Sequence, residues 1–206
     1  MKESSLLNHR LPSLSDPIAV PNDDDSLKAS AVLIILHQVN EQWQLLFTKR
    51  ASHLKHHAGQ ISFPGGRFED VDRHLIDTAV RETEEEIGLS RNYIKVISQL
   101  QHQPTLTGYR IYPFVALSKP LPQLVIEENE VDEIFSVPLD FLINSDNQHK
   151  EVVQYNGVDY DLYKIVWKER LIWGATARMI VELSEYINAD ALAALANSPS
   201  QSGYDL

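Results

Sequence analysis

The 206 residues, 43% hydrophobic and 23% charged, suit one domain with a substantial core and lie far from disordered or fibrous compositions. A formal net charge of −11 excludes a general nucleic-acid binder, which needs an excess of Lys and Arg against phosphate. With no cysteine, disulfides, thiolate catalysis and cysteine-based zinc sites are excluded, and no run reaches the roughly 18 apolar residues of a membrane span, so a cytoplasmic protein without a membrane partner is expected.

Residues 1–28 mix Pro, Ser and the acidic run 23–25, and read as a loosely ordered arm without the apolar core of a signal peptide. Residues 31–36 and 43–48 read as two strands joined across Asn40 and Glu41. A basic, His-rich loop over 49–60 follows. Residues 61–63 then run into Pro64-Gly65-Gly66, which stops a strand and permits a tight turn. A helix is predicted next, with Asp70 or Asp72 as its N-cap and Gly88 as its left-handed stop. Further strands are predicted over 93–100, 111–117, 152–155 and 160–166. Turns fall at Thr107-Gly108 and Asn156-Gly157, the second being the clearer hairpin signal. Helices over 138–143 and 176–187 and an alanine-rich stretch over 189–196 complete a domain spanning 29–197, ahead of a flexible tail over 198–206. The chain has no internal repeat, Gly-rich dinucleotide fingerprint or P-loop.

Between residues 72 and 88, a period of 3.6 places Ile76, Ala79, Val80, Thr83 and Ile87 on one stripe, expected to face the core. The same spacing gathers Glu82, Glu85 and Glu86 on another face, while Glu84 points elsewhere. Three carboxylates on one patch repel by a few tenths of a kcal/mol per pair, roughly, and the last helical turn presents partial negative charge that disfavours them further. Arg81 can pair with Glu85 one turn on, but one arginine cannot neutralise three glutamates. A hard divalent cation can, and an all-oxygen set suits Mg2+ or Mn2+. An isolated Glu-rich helix is more often a solvated acidic face. Here a Gly-Gly turn and a basic loop immediately upstream add up to a site description.

The segment from Gly66 to Leu89, GRFEDVDRHLIDTAVRETEEEIGL, resembles the signature of the Nudix hydrolases. Residues 81–89 match the R-E-U-x-E-E-x-G-U core without a gap, with Thr83 at the apolar position. The front departs from the pattern: Asp72 stands where a Glu is expected, and Arg81 follows nine residues later instead of eight, leaving the role of Asp72 open. The resemblance implies an α/β fold, an α/β/α sandwich with a mixed central β-sheet. It implies divalent metal on Glu82, Glu85 and Glu86, a further ligand from the carbonyl of Gly65 in the Gly-Gly turn, and Arg81 orienting a glutamate. The reaction implied is attack of water on a phosphorus of a nucleoside diphosphate linked to another group.

A narrower resemblance covers LFTKRASHLKHHAGQISFPGG, from Leu46 to Gly66, which looks like the motif marking the coenzyme A pyrophosphatase branch. Leu46, Thr48, Arg50, Ala51, Gly59, Phe63, Pro64, Gly65 and Gly66 match, while Phe47 and Lys55 replace the usual Leu and Arg. Coenzyme A is then the implied small-molecule substrate, with Lys49, Arg50, Lys55, Gly59 and Phe63 as its binding residues. Any one residue of such a loop, His53, His56 and His57 included, is by itself more often simply solvated. A zinc site from those histidines is the weaker expectation. The proton acceptor is either Glu85 or one of Glu127, Glu128, Glu130 and Glu133, with Glu130 favoured. Trp173 to Thr176 resembles family sequence at the start of the last helix, with Trp173 expected in core packing. ADP-ribose or another nucleoside diphosphate-linked substrate, or a non-catalytic nucleotide-binding Nudix module, are the rival expectations. The intact glutamate triad argues against the module, and the oligomeric state, a homodimer included, is left open.

Overall fold

The computed structural model describes residues 11, 12, 14, 26–55 and 57–187. Its central strand is β1, Lys28–Val39, whose nearly continuous burial marks a strand covered on both faces. The turn at Asn40 and Glu41, both with positive φ, reverses the chain into β2, Gln42–Arg50, as the pattern of a two-residue hairpin requires. β3, Ile61–Ser62, pairs with β2, and β4, Gly65–Arg67, pairs with the first half of β1. The chain then enters α1, Leu75–Ile87.

Beyond α1 come β5, Ile94–Gln99, β6, Gln103–Pro104, and β7, Tyr109–Ser118. β7 runs parallel to β1 from Lys28↔Tyr109 to Leu36↔Leu117, while the other pairings of this sheet are antiparallel. β8, Val131–Pro138, pairs with β2 and leads into α2, Leu139–Ile143. A second sheet holds β9, His149–Tyr155, β10, Val158–Trp167, and β11, Arg170–Trp173, before α3, Ala175–Tyr186.

The expected layering follows from the alternation along β1. Ala31, Leu33 and Ile35 pack with Leu75, Ala79 and Ile87 of α1. Ile34 and Leu36 pack on the opposite face with Leu139 and Leu142 of α2 and Ile180 and Leu183 of α3. Two cores thus share one mixed sheet, and α1 is pinned along one face with its glutamates held over β4.

Several boundaries differ from expectation. The helix starts at Leu75 with His74 as its cap residue, not at Asp70 or Asp72, and the Asp77 carboxylate accepts from the His74 N–H at 3.1 Å. Gly88 ends it in the left-handed conformation, as predicted, its N–H donating to the Glu84 carbonyl. Leu11 and Pro12, inside the expected arm, lie against the sheet: Leu11 is buried in the core, and the Ser98 hydroxyl donates to the Pro12 carbonyl at 2.6 Å. Trp173 was expected in the core but is 40% exposed, because register pairs Ile172 with Ile165 on the inner face and turns Trp173 outward. The alanine-rich stretch and the tail lie outside the described residues. Among those described, no helix is long and apolar enough to cross a membrane.

His37, on β1, shares a hydrogen bond of 2.7 Å with the Ser136 hydroxyl of β8, and burial pushes its pKa down to about 4. Its pKa is then lower folded than unfolded, so the stability it contributes is present above pH 6.5 and lost as pH falls through 4. The loss amounts to on the order of 3 kcal/mol. Urea titrations across that window are expected to show a flatter acid limb in His37→Gln; an unchanged limb would exclude His37 as its cause.

Candidate active site

β4 passes so close to β1 that only glycine fits at position 65. A Cβ there would fall 2.3 Å from the Ala31 carbonyl oxygen, at a φ of +147°. The turn thereby presents its backbone to α1. The Gly65 N–H donates to Glu86 Oε2 at 3.2 Å, and a Cβ on Gly66 would meet the Glu82 carboxyl carbon at 2.2 Å. Both carboxylates therefore rest against the turn, as the helical spacing requires.

The helix face does not treat its glutamates alike. Glu86 is buried, Glu82 half-buried, and the Glu85 side chain 60% exposed. Burial pushes the Glu86 carboxyl up to about 8, with Glu82 and Glu130 adding to the rise against the opposing Gly65 N–H and Arg50. Burial also raises Glu82, with Arg81 opposing it and Glu85 and Glu130 reinforcing it. Ile76, placed on the core stripe by the helical period, is only half-buried, while Leu75 and Thr78 are buried.

Arg81 ties the cluster together. Its Nη1 donates to Glu82 at 3.1 Å and to Glu85 at 2.9 Å, the second being the predicted pair one turn on. Its Nε and Nη2 donate to Asp72 at 2.9 and 3.0 Å, and Nη2 also reaches the Arg67 carbonyl. Asp72 further accepts from the Thr78 hydroxyl and the Glu69 N–H. Burial alone would raise its carboxyl, but the bonds from Arg81, Glu69 and Thr78 outweigh that and hold it below the usual carboxylate range. The hydrogen bond to Asp72 in turn leads the causes that raise Arg81. Asp72 is thus the anchor of Arg81, a role that the sequence left open because it also offered Asp72 as the helix cap.

Two loops complete the site. The Glu127 N–H donates to the Glu86 carbonyl, and the Ala51 N–H to the Glu130 carbonyl, so the acidic loop bridges the end of α1 and the end of β2. Glu130 consequently acts electrostatically on both Glu82 and Glu86, and Arg50 on Glu86. Lys49 sits opposite Glu133 in the β2–β8 register, with Gly59 packed beside its side chain. Glu133 pairs with Arg170. Lys55 and His53 are exposed, His57 bonds Gln60, and His56 lies outside the described residues. Phe63, expected at the substrate, is instead 2% exposed and stacked on Phe47 at 4.9 Å, shaping the loop from beneath.

The fit of this donor set to a divalent cation turns on the Gly-Gly turn. Among the described residues no three acidic or imidazole groups are already gathered around one point. Glu82 and Glu86 nevertheless converge on backbone where any Cβ would displace Glu82, and the two repel each other in a half-buried place, which suits a hard cation with oxygen ligands. Glu85, held by Arg81, stands one turn away. Gly66→Ala, whose backbone needs no left-handed conformation, is expected to push the flexible Glu82 carboxylate off the turn. Activity should fall about a hundredfold, as misplacements near 1 Å do, with little change in melting temperature; equal losses of both would point to a folding defect instead.

Residues 27–156 match the NUDIX domain. The chain is 34% identical over 157 residues to the protein named "Uncharacterized Nudix hydrolase NudL" of Enterobacter sp. (strain 638), covering 76% of this chain and 81% of that one. A protein of the same name from Yersinia pestis (strain Pestoides F) is 33% identical over 144 residues, covering 70% and 72%. Among solved structures, the Nudix hydrolase RenU of M. smegmatis is similar at 19% identity and a TM-score of 0.47, covering 55% of this chain and 71% of that one. An Ap4A hydrolase binary complex from C. elegans is similar at 14% identity and 0.48, covering 57% and 84%. The matched span contains the turn, the glutamate helix and the acidic loop together, and the chain belongs to the Nudix hydrolase family.

Proposed function

We propose that the chain hydrolyses the diphosphate of coenzyme A or its derivatives, giving 4'-phosphopantetheine and adenosine 3',5'-bisphosphate. The observation that supports this reading is the way the loop resembling the coenzyme A pyrophosphatase motif meets the glutamate helix: the N–H of Ala51, next to Arg50, donates to the Glu130 carbonyl, and the Glu127 N–H of the same acidic loop donates to the Glu86 carbonyl. Glu82 and Glu86, with Glu85 and the Gly65 carbonyl, would hold Mg2+ or Mn2+. Such a cation, when bound, screens the diphosphate and polarises its phosphorus–oxygen bonds.

The remaining steps fall to the chain's own residues. Arg81 restrains Glu82 and Glu85 from one side and is itself braced by Asp72. Lys49, Arg50 and Lys55 offer positive charge to a phosphate-rich ligand in an otherwise acidic protein. Glu130 is the proton acceptor of choice, since Glu85 is engaged by Arg81 while Glu130 acts electrostatically on both remaining carboxylates from a loop bonded to the end of α1. Water adds to one phosphorus, the bridging phosphorus–oxygen bond breaks, and two phosphomonoesters leave, with two protons released as both become dianions.

The test is a product assay on the purified chain with Mg2+ or Mn2+, comparing coenzyme A, dephospho-coenzyme A and ADP-ribose. Coenzyme A is expected to be cleaved fastest and dephospho-coenzyme A more slowly, because the 3'-phosphate is the group that the basic loop is there to meet. Faster cleavage of ADP-ribose would overturn the substrate assignment and leave the glutamate helix untouched.

A further inference from the structure

The tip of the β6–β7 hairpin stands beside the catalytic turn and is braced more heavily than a surface hairpin requires. Thr105 donates its N–H to the Tyr109 carbonyl at 2.8 Å, and its hydroxyl bonds both the Tyr109 carbonyl and the Tyr109 N–H, at 3.1 and 3.0 Å. The Lys28 N–H donates to the Gly108 carbonyl at 2.9 Å, tying the tip to the start of β1. Tyr109 is therefore held in place by its backbone while its ring stays half-buried.

Arg67 is fixed from the other side. It follows Gly66 directly, its carbonyl accepts from Arg81, and the next residue donates its N–H to the Ala29 carbonyl at 3.1 Å. On β1, Arg67 sits opposite Ser30 and Tyr109 opposite Lys28, two positions apart and so on one face of the sheet. The guanidinium carbon of Arg67 lies 5.4 Å from the centre of the Tyr109 ring. Arg67 is exposed, so the pair offers solvent a planar cation backed by an aromatic ring, on the face of the sheet opposite α1 and one residue along β4 from the turn that receives Glu82.

Resting on the reaction assigned above, we propose that Arg67 and Tyr109 form the subsite for the base of the nucleotide half of the substrate. A guanidinium plane and a phenol ring both stack on a heterocycle, and every base has a face to offer them. The backbone of both residues is tied in place by hydrogen bonds and the guanidinium already lies over the ring, an arrangement that lowers the entropic cost of binding. The basic loop over 49–60 lies on the β2 side of the catalytic turn and Arg67 on its β4 side, so base and phosphate contacts are divided between them. Stacking tolerates any base, and the subsite should therefore bind adenine and guanine nucleotides with similar affinity.

The test uses the full chain with Arg67→Gln, Arg67→Lys, Tyr109→Leu and Tyr109→Phe. Steady-state kinetics would be measured on the best substrate of the parent protein, and calorimetric binding with adenosine 3',5'-bisphosphate and 4'-phosphopantetheine. Arg67→Gln and Tyr109→Leu are expected to raise KM about tenfold, the scale of a lost stacking contact. They should leave kcat within about twofold, since no contact made only in the transition state is removed. Adenosine 3',5'-bisphosphate binding should weaken in step and 4'-phosphopantetheine binding should not. Tyr109→Phe should behave as the parent, and Arg67→Lys, which keeps charge but not the plane, should resemble Arg67→Gln. Equal weakening of 4'-phosphopantetheine, an unchanged KM, or a fall in kcat instead would overturn the proposal. If Tyr109→Leu fails to fold, the two arginine variants decide the matter. If the parent cleaves a different nucleoside diphosphate derivative, the substrate assignment falls and the subsite is judged on that compound. If no compound is cleaved, the assigned reaction falls, and adenosine 3',5'-bisphosphate binding still decides the subsite.

Discussion

Glu86→Gln is expected to abolish hydrolysis while leaving the fold intact. Burial makes the Glu86 carboxylate costly to ionise unless a cation faces it, and the Gly65 N–H offsets only part of that cost. Gln keeps the volume and the acceptor for the Gly65 N–H and removes the charge. Losing one anionic ligand is expected to lower kcat by about a thousandfold, corresponding to several kcal/mol of transition-state stabilisation. In chelator the same variant should melt at or above the temperature of the parent, because a buried carboxylate that serves chemistry works against stability. The measurement is paired product release in Mg2+ or Mn2+ and thermal melting without metal. A variant that stays active would remove Glu86 from the site, and one that is inactive and melts far below the parent would make its role structural.

That burial is also where sequence reasoning ran out. Helical spacing puts Glu82, Glu85 and Glu86 near one face, and the structure brings Glu82 and Glu86 to the Gly-Gly turn while Glu85 stays exposed on Arg81, because spacing is a property of one element. Which of the three loses water depends on how closely β4 approaches α1, and that depends on Gly65 having no Cβ to strike the Ala31 carbonyl. Long elements with a clear period, β1, β2, β7 and α1, were legible for the same reason that they are stable: the pattern that identifies them is the pattern that buries them. β3, β4 and β6 have two or three residues each and no period to display. Phe63 shows the opposite difficulty, since the sequence does not distinguish an aromatic ligand contact from a core plug beside a Gly-Gly turn, and the structure buries its ring on Phe47.

Asp72→Ala is expected to be the most destabilising substitution at the site. It would leave the Thr78 hydroxyl and two of the Arg81 donors without their buried acceptor. Breaking a largely buried charged pair by removing one partner costs about 3–5 kcal/mol. Because the folded-state pKa of Asp72 is held low, its contribution is present above the ordinary carboxylate range and lost as pH falls through the folded value, so the variant should differ most from the parent near neutrality and least in acid. Denaturant midpoints at neutral pH and near pH 3 check both parts; a difference that grows in acid would mean that Asp72 is protonated in the folded parent. The reason that an aspartate and one extra residue are tolerated here is geometric. An insertion inside a helix turns everything beyond it by about 100° and would scatter the glutamates. α1 begins only at Leu75, so Arg73 and His74 take up the extra residue before the helical phase is set. From Arg81 onward the helix is in register with the turn. The shorter Asp72 side chain still reaches Arg81, since the backbone folds back on itself through the reciprocal bonds between Glu69 and Asp72. Asp72→Glu should accordingly weaken the protein as well, because the longer side chain has no room in a place already filled by Arg81 and Thr78.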